Sequence, residues 1–153
     1  MLLRGWQLNG INTLRTGFPF TIRSGVDNAL TGVGGNTADQ IGDRTLPDGR
    51  SKGDAIQKWF NTAAFAPNRI GTVGTVGINS VRGPGFWNVD IGASRNFLIT
   101  ETKRVEFRAS FYNLFNHGNL GLPNATQSSP TFGRITAMAN DARVIDLGLK
   151  FAF

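Results

Sequence analysis

The 153-residue sequence has no cysteine, a single histidine, a single tyrosine and no long apolar run, and each shortage removes a class of explanation. Without cysteine there are no disulfides, thiolate metal sites or cysteine nucleophiles. Apolar stretches such as Thr62 to Ala66 fall far short of the ~18 residues a membrane-spanning helix needs. Met1, Leu2 and Leu3 are interrupted by Arg4, Gly5 and Gln7, so no signal peptide is expected at the start. His117 has neither cysteine nor paired carboxylates near it in sequence, so it lacks the partners of a metal site or catalytic triad and is expected to start a loop. Asp39, Asp43, Asp48 and Asp54, spaced through a glycine-rich loop, could recruit Ca²⁺, but they lack the alternation and closing Glu of an EF-hand loop and read first as solvated turn residues. Gly32-Val-Gly-Gly35 is not followed by Lys-Ser/Thr, as a phosphate loop would be. With no acid, base and nucleophile to assemble, the chain is expected to be non-catalytic, with no cofactor and no metal.

Clustered charge is also missing. Sixteen Lys+Arg against ten Asp+Glu give a formal charge of +6, but the arginines are spread singly and no basic tract forms, so no nucleic-acid partner is expected. What the sequence does have is glycine, twenty residues of it, with six prolines and abundant Asn and Thr, a composition that disfavours long helices.

Against that background four segments alternate with period two. In 143–153, Ile145, Leu147, Leu149, Phe151 and Phe153 alternate with Val144, Asp146, Gly148, Lys150 and Ala152. In 104–115, Val105, Phe107, Ala109, Phe111 and Phe115 share one face, and Arg104, Glu106, Arg108, Ser110 and Tyr112 the other, with Asn113 breaking the apolar row. In 87–99, Trp87, Val89, Ile91, Ala93 and Phe97 form the apolar row, Arg95 being its exception. In 5–16, Trp6, Leu8, Gly10 and Leu14 give a weaker version of the pattern. Residues 99–103 make a tight hairpin between the second and third segments. The other two connections, 17–86 and 116–142, are long; within the first, 53–60 is expected to make one or two helical turns with Asp54 placed to cap or favour the N-terminal end.

Long connections count against an ordinary soluble domain. They suit an outer-membrane barrel, in which short periplasmic turns alternate with long extracellular loops. Strands of about ten residues match a tilted bilayer crossing, aromatic residues fall near strand ends, and the polar faces carry Asp90, Glu106, Arg108, Asp146 and Lys150, as a wet lumen would. The expected fold is therefore all-β: antiparallel strands forming about the last four strands of a transmembrane barrel. Val89, Ile91, Val105, Phe107, Phe111, Ile145, Leu147, Leu149 and Phe151 are expected to face lipid. Trp59, Phe60 and Phe65 are candidate ligand contacts on the extracellular side, although packing of the long loop on itself explains them equally well. A secreted or surface β-sandwich binding module, carbohydrate-binding in character, is the alternative that alternation alone leaves open.

Several stretches resemble the C-terminal barrel of TonB-dependent receptors, in particular the Oar-like group with a carboxypeptidase-regulatory-like domain. They are Gly5-Trp-Gln-Leu-Asn-Gly-Ile11, Thr16-Gly-Phe-Pro-Phe20, Trp59-Phe-Asn-Thr-Ala-Ala-Phe65, Arg82-Gly-Pro-Gly85, Phe107-Arg-Ala-Ser-Phe-Tyr-Asn-Leu-Phe-Asn-His117, Ser129-Pro-Thr-Phe-Gly-Arg-Ile135 and Leu147-Gly-Leu-Lys-Phe-Ala-Phe153. The resemblance implies a barrel of about twenty-two strands with a plugged lumen, in the outer membrane of a Gram-negative bacterium. It also implies uptake of a scarce ligand energised through TonB, and recognition of the terminal Phe153 by the barrel-assembly machinery. On that reading residues 1–153 are the barrel's C-terminal part, partnered by outer-membrane lipid and the rest of the barrel and plug. The plug and the TonB-contacting segment are expected to lie outside the chain.

Overall fold

A computed structural model describes residues 5–153, so the leader reading of residues 1–4 lies outside the described residues. In chain order the strands are β1 (Trp6–Arg15), β2 (Pro19–Phe20), β3 (Asp39–Gln40), β4 (Phe65–Ala66), β5 (Val81–Arg82), β6 (Phe86–Leu98), β7 (Arg104–Tyr112) and β8 (Val144–Ala152), with a short helix α1 (Lys52–Gln57). The chain divides into two compact units.

The first unit holds residues 5–15, Phe86–Asn119 and Asn140–Phe153, and its framework is one antiparallel sheet in the order β1-β6-β7-β8. Period-two alternation dictates this form, because register then collects every apolar row on one side. Leu14 pairs with Trp87 and Leu8 with Ala93; Ile91 pairs with Phe111 and Phe97 with Val105; Phe107 pairs with Leu149 and Phe111 with Ile145. The opposite face brings Glu106 against Lys150 and Ser110 against Asp146. The sheet is not closed: β1 and β8 each have one edge without a neighbouring strand among the described residues.

The four long strands match the four alternating segments to within a few residues, and the largest difference has a clear cause. The third segment was expected to run to Phe115 but ends at Tyr112, because Asn113 turns into the left-handed region at φ 52° and Asn116 follows at φ 50°. Asparagine tolerates that conformation better than other residues with a Cβ. Phe115 thus lies beyond the strand instead of extending its apolar row.

The second unit holds Thr16–Gly85 and Leu120–Ala139, the bulk of both long connections. These are not structureless. Two-residue ladders pair β2 with β5 and β3 with β4. The second connection is laced into the first by backbone bonds from Arg23 N–H to the Ala125 carbonyl (2.9 Å), Trp59 N–H to Gly133 (2.8 Å) and Ile135 N–H to Ile56 (2.8 Å). Their apolar residues make a common core of Phe20, Ile22, Phe60, Phe65, Val76 and Val81, with Phe132 packed against it. Helix α1 starts one residue before the sequence suggests: Ser51 is its N-cap, its Oγ accepting from the Asp54 N–H at 3.1 Å while donating to the Asp54 carboxylate at 2.7 Å. Asp54 therefore answers the cap from the third helical position instead of supplying it. Within this unit Gly17 lies against the Gly83 carbonyl so closely that no side chain fits there.

Candidate functional site

The two units differ most in where their apolar residues go. Every member of the buried core cluster belongs to the second unit. The sheet of the first unit buries only Ala109 among its strand residues. Leu8, Leu14, Leu147 and Leu149 are 77%, 81%, 70% and 77% exposed. An open apolar face of this extent on a four-stranded sheet requires an apolar environment outside the chain. All nine residues expected to meet lipid lie on it: Val89 and Ile91 on β6, Val105, Phe107 and Phe111 on β7, and Ile145, Leu147, Leu149 and Phe151 on β8. Phe153, one residue past β8, is 91% exposed, with its ring 5.9 Å from that of Phe151.

The other face is polar and hollow. Gln7, Asn9, Asp90, Ser94, Arg108 and Tyr112 line a depression of about 620 Å³. Glu106 and Arg108 form an ion pair at 2.9 Å on this side. At Gly92, a Cβ would collide with the Asn9 amide lying across the neighbouring strand.

At the end of the sheet away from the 99–103 turn, asparagine side chains bind the strands and the residues that follow them. Asp90 Oδ1 accepts from the Asn88 amide (2.8 Å) and from the Asn113 backbone N–H (2.8 Å). The buried Asn113 side chain donates to the His117 and Asp141 carbonyls (3.1 and 3.0 Å) and accepts from the His117 N–H (2.8 Å). Asn119 is paired to Trp87 through both backbone groups, accepting from its N–H and donating to its carbonyl at 2.9 Å each. His117, the lone histidine, follows the strand end as expected, and its ring lies 4.4 Å from Trp87 at an angle of 33°. Sequence reasoning missed this lock: it registered Asn113 only as a flaw in an apolar row, although several asparagines around a strand end are the available signal for left-handed turns that bond to themselves.

In the second unit, Phe60 and Phe65 are corrected from candidate ligand contacts to core residues. Each is 4% exposed, and their rings meet edge to face at 5.5 Å, with Phe132 at 5.1 Å from Phe60. Burying both aromatic rings, the self-packing explanation, takes them away from any extracellular ligand. Trp59 is half-buried, its indole N–H donating to the Arg82 carbonyl at 2.8 Å. It lines an open cleft of about 840 Å³ with Arg44, Arg50 and Arg82, though Arg50 spends two donors on the Lys58 and Trp59 carbonyls.

The aspartates of this unit serve their own loops. Asp27 accepts from Thr31 N–H (3.0 Å), Gly32 N–H (2.8 Å), Thr31 Oγ1 and the Asn36 amide. The Thr31 N–H foremost, joined by the other donors, holds its carboxyl below the ordinary range. Asp43 is lowered likewise, first by the Thr45 N–H and then by the Thr45 hydroxyl. Asp39 accepts from the Thr75 N–H at 3.0 Å.

A sheet with one apolar and one polar face, long connections at one end and a tight turn at the other has the organisation of a membrane barrel wall. A family model described as an outer membrane beta barrel domain matches residues 1–146, and neither the curated proteins nor the solved structures contain a match. Matched over nearly its whole length, the chain belongs to the outer membrane beta barrel domain family and is a protein of the outer membrane.

Proposed function

We propose that the chain is part of the barrel of a TonB-dependent receptor and contributes, without catalysis, to ligand uptake across the outer membrane. The observation that carries the membrane part of this reading is the open apolar face of the β1-β6-β7-β8 sheet. Val89, Ile91, Val105, Phe107, Phe111, Ile145, Leu147, Leu149 and Phe151 meet lipid, and the Asp90, Arg108 and Tyr112 side meets the lumen. Since the smallest membrane barrels have about eight strands, and open edges in lipid leave backbone groups unpaired at several kcal/mol each, other strands complete the wall. The receptor part is supported by the ordered motif resemblance and by the size of the connections that build the second unit, which is extracellular on this reading.

Planar-bilayer recording tests the receptor part on the intact outer-membrane protein. A plugged receptor passes no steady ion current until denaturant dislodges its plug, and ligand uptake by cells stops when TonB is removed. A constant open conductance, or uptake indifferent to TonB, refutes the receptor while leaving an outer-membrane barrel of the porin kind.

A further inference from the structure

The cleft of about 840 Å³ in the second unit is lined by three arginines, Arg44, Arg50 and Arg82, against one carboxylate, Asp48, with the Trp59 indole among them. Hydrogen bonds tie these residues together. Arg50 donates to the Lys58 and Trp59 carbonyls at 2.6 and 3.2 Å, and the Trp59 indole N–H donates to the Arg82 carbonyl at 2.8 Å. The Arg82 guanidinium in turn donates to the Gly17 carbonyl at 3.3 Å. The acceptors of Arg50 and Arg82 are neutral carbonyls, so these bonds orient both guanidiniums without cancelling their charge. Among the described residues neither of them, nor Arg44, forms an ion pair with a carboxylate. Arg44 acts instead through its charge on the neighbouring Asp43 carboxyl, whose hydrogen bonds come from Thr45.

A guanidinium anchored by some of its donors presents the others as a fork that matches a carboxylate, and it loses little freedom on binding one. The Trp59 N–H is already committed to the chain, which leaves the ring's π face for a ligand. That electron-rich face attracts the polarised C–H bonds of a pyranose ring. Arg50 is held at the main-chain end of Trp59, and the Arg82 backbone at its indole end, so charge is offered at both ends of the stacking surface. The volume falls within the ~300–1,000 Å³ of small-ligand sites, and the cleft is open. A chain of sugar rings with a carboxylate on each can therefore run through it, meeting both arginines while one ring lies on Trp59.

We propose that this cleft binds an acidic oligosaccharide, with Arg50 and Arg82 on uronate carboxylates and a sugar ring stacked on Trp59. That the oligosaccharide is the ligand taken up rests on the receptor reading above, under which the second unit is extracellular.

Isothermal titration calorimetry tests the site on the intact outer-membrane protein in micelles of a polyoxyethylene detergent, which carries neither sugar nor charge. The probes are trigalacturonate, galactotriose and citrate. Trigalacturonate should bind about tenfold more tightly than the other two, and added salt should weaken it. Arg82→Gln should lower its affinity about tenfold, and Arg82→Lys, which keeps the charge without the fork, by less. Trp59→Leu should also weaken binding, whereas Trp59→Phe, which keeps an aromatic face, should retain most of it. Equal binding of galactotriose overturns the proposal in favour of a neutral-sugar cleft, and equal binding of citrate in favour of a bare anion site. No trigalacturonate binding at millimolar concentration, or an affinity unchanged in Arg82→Gln, overturns it outright. The receptor reading fails separately. Trigalacturonate binding by a protein with a constant open conductance keeps the cleft and removes the receptor, whereas no binding by a protein that stays closed until its plug is dislodged removes only the cleft.

Discussion

Replacing Leu147 by arginine isolates the contribution of lipid from that of protein packing. Leu147 lies in the middle of β8 opposite Ala109 and is 70% exposed, so its side chain has little protein contact to lose. In water a substitution at such a position changes stability by within about 0.5 kcal/mol. On the lipid face near the midplane an arginine costs about 2–4 kcal/mol, a factor of roughly 30 to 10³ in the unfolding equilibrium. The same substitution at Phe151, close to the strand end on the same face, should cost only about 0–1 kcal/mol because the charge reaches the interface. Ser110→Arg supplies the polar-face control, since Ser110 pairs with Asp146 and the added charge meets a carboxylate; its effect should stay within about 0.5 kcal/mol. Urea titration of the intact protein folded into phospholipid vesicles measures all three. Equal losses at Leu147 and Phe151, or a larger loss at Ser110 than at Leu147, would refute the assignment of faces.

Phe60→Ala should destabilise the second unit by about 3–5 kcal/mol, the usual cost of emptying a core aromatic site; surface proteolysis of intact cells should then cut 16–85 and 120–139 together while the barrel stays inserted. Asn113→Ala removes three side-chain hydrogen bonds and leaves alanine at φ 52°, for a loss of about 3 kcal/mol. Asn113→Gly, which relieves only the backbone, should recover a minor part of that loss in the same unfolding assay. The depressed carboxyls of Asp27 and Asp43 stabilise the folded loops fully above the ordinary value of 3.8, and the contribution disappears as pH falls through their lower folded values. Hydrogen exchange at Thr31 and Gly32 should therefore speed up only below pH 3.8 in the wild type, and be fast at every pH in Asp27→Ala.

The sheet was legible because its information is local and periodic. Each long strand writes its two faces into every second residue, so Val105 to Phe111 and Ile145 to Phe151 announce their common side before any pairing is known. The end of β7 was less legible, since an asparagine in an apolar row gives no sign of which way its backbone will turn. The second unit was opaque for a different reason: its strands are two residues long, too short to show a period, and its contacts join distant parts of the chain, as Ile56 does with Ile135. Composition identified glycine- and asparagine-rich loops correctly as loops but carried no information on what Phe60 or Phe65 would pack against. The cap of α1 shows the same limit at small scale, since Ser51 and Asp54 were both visible and only their reciprocal bonds decide which is the cap.

The core shared by 16–85 and 120–139 makes them poor candidates for independent exchange. Outer-membrane surface loops are commonly treated as cassettes, cut out or swapped one at a time to change recognition or to graft an epitope. Here a transplanted 16–85 would arrive without Phe132 and Ile135, and a transplanted 120–139 without the Trp59 and Ile56 backbone partners it bonds to. Inheritance should respect the same constraint, with substitutions in one connection answered by substitutions in the other, so that diversification of this surface proceeds by joint replacement of two segments that are distant in the gene.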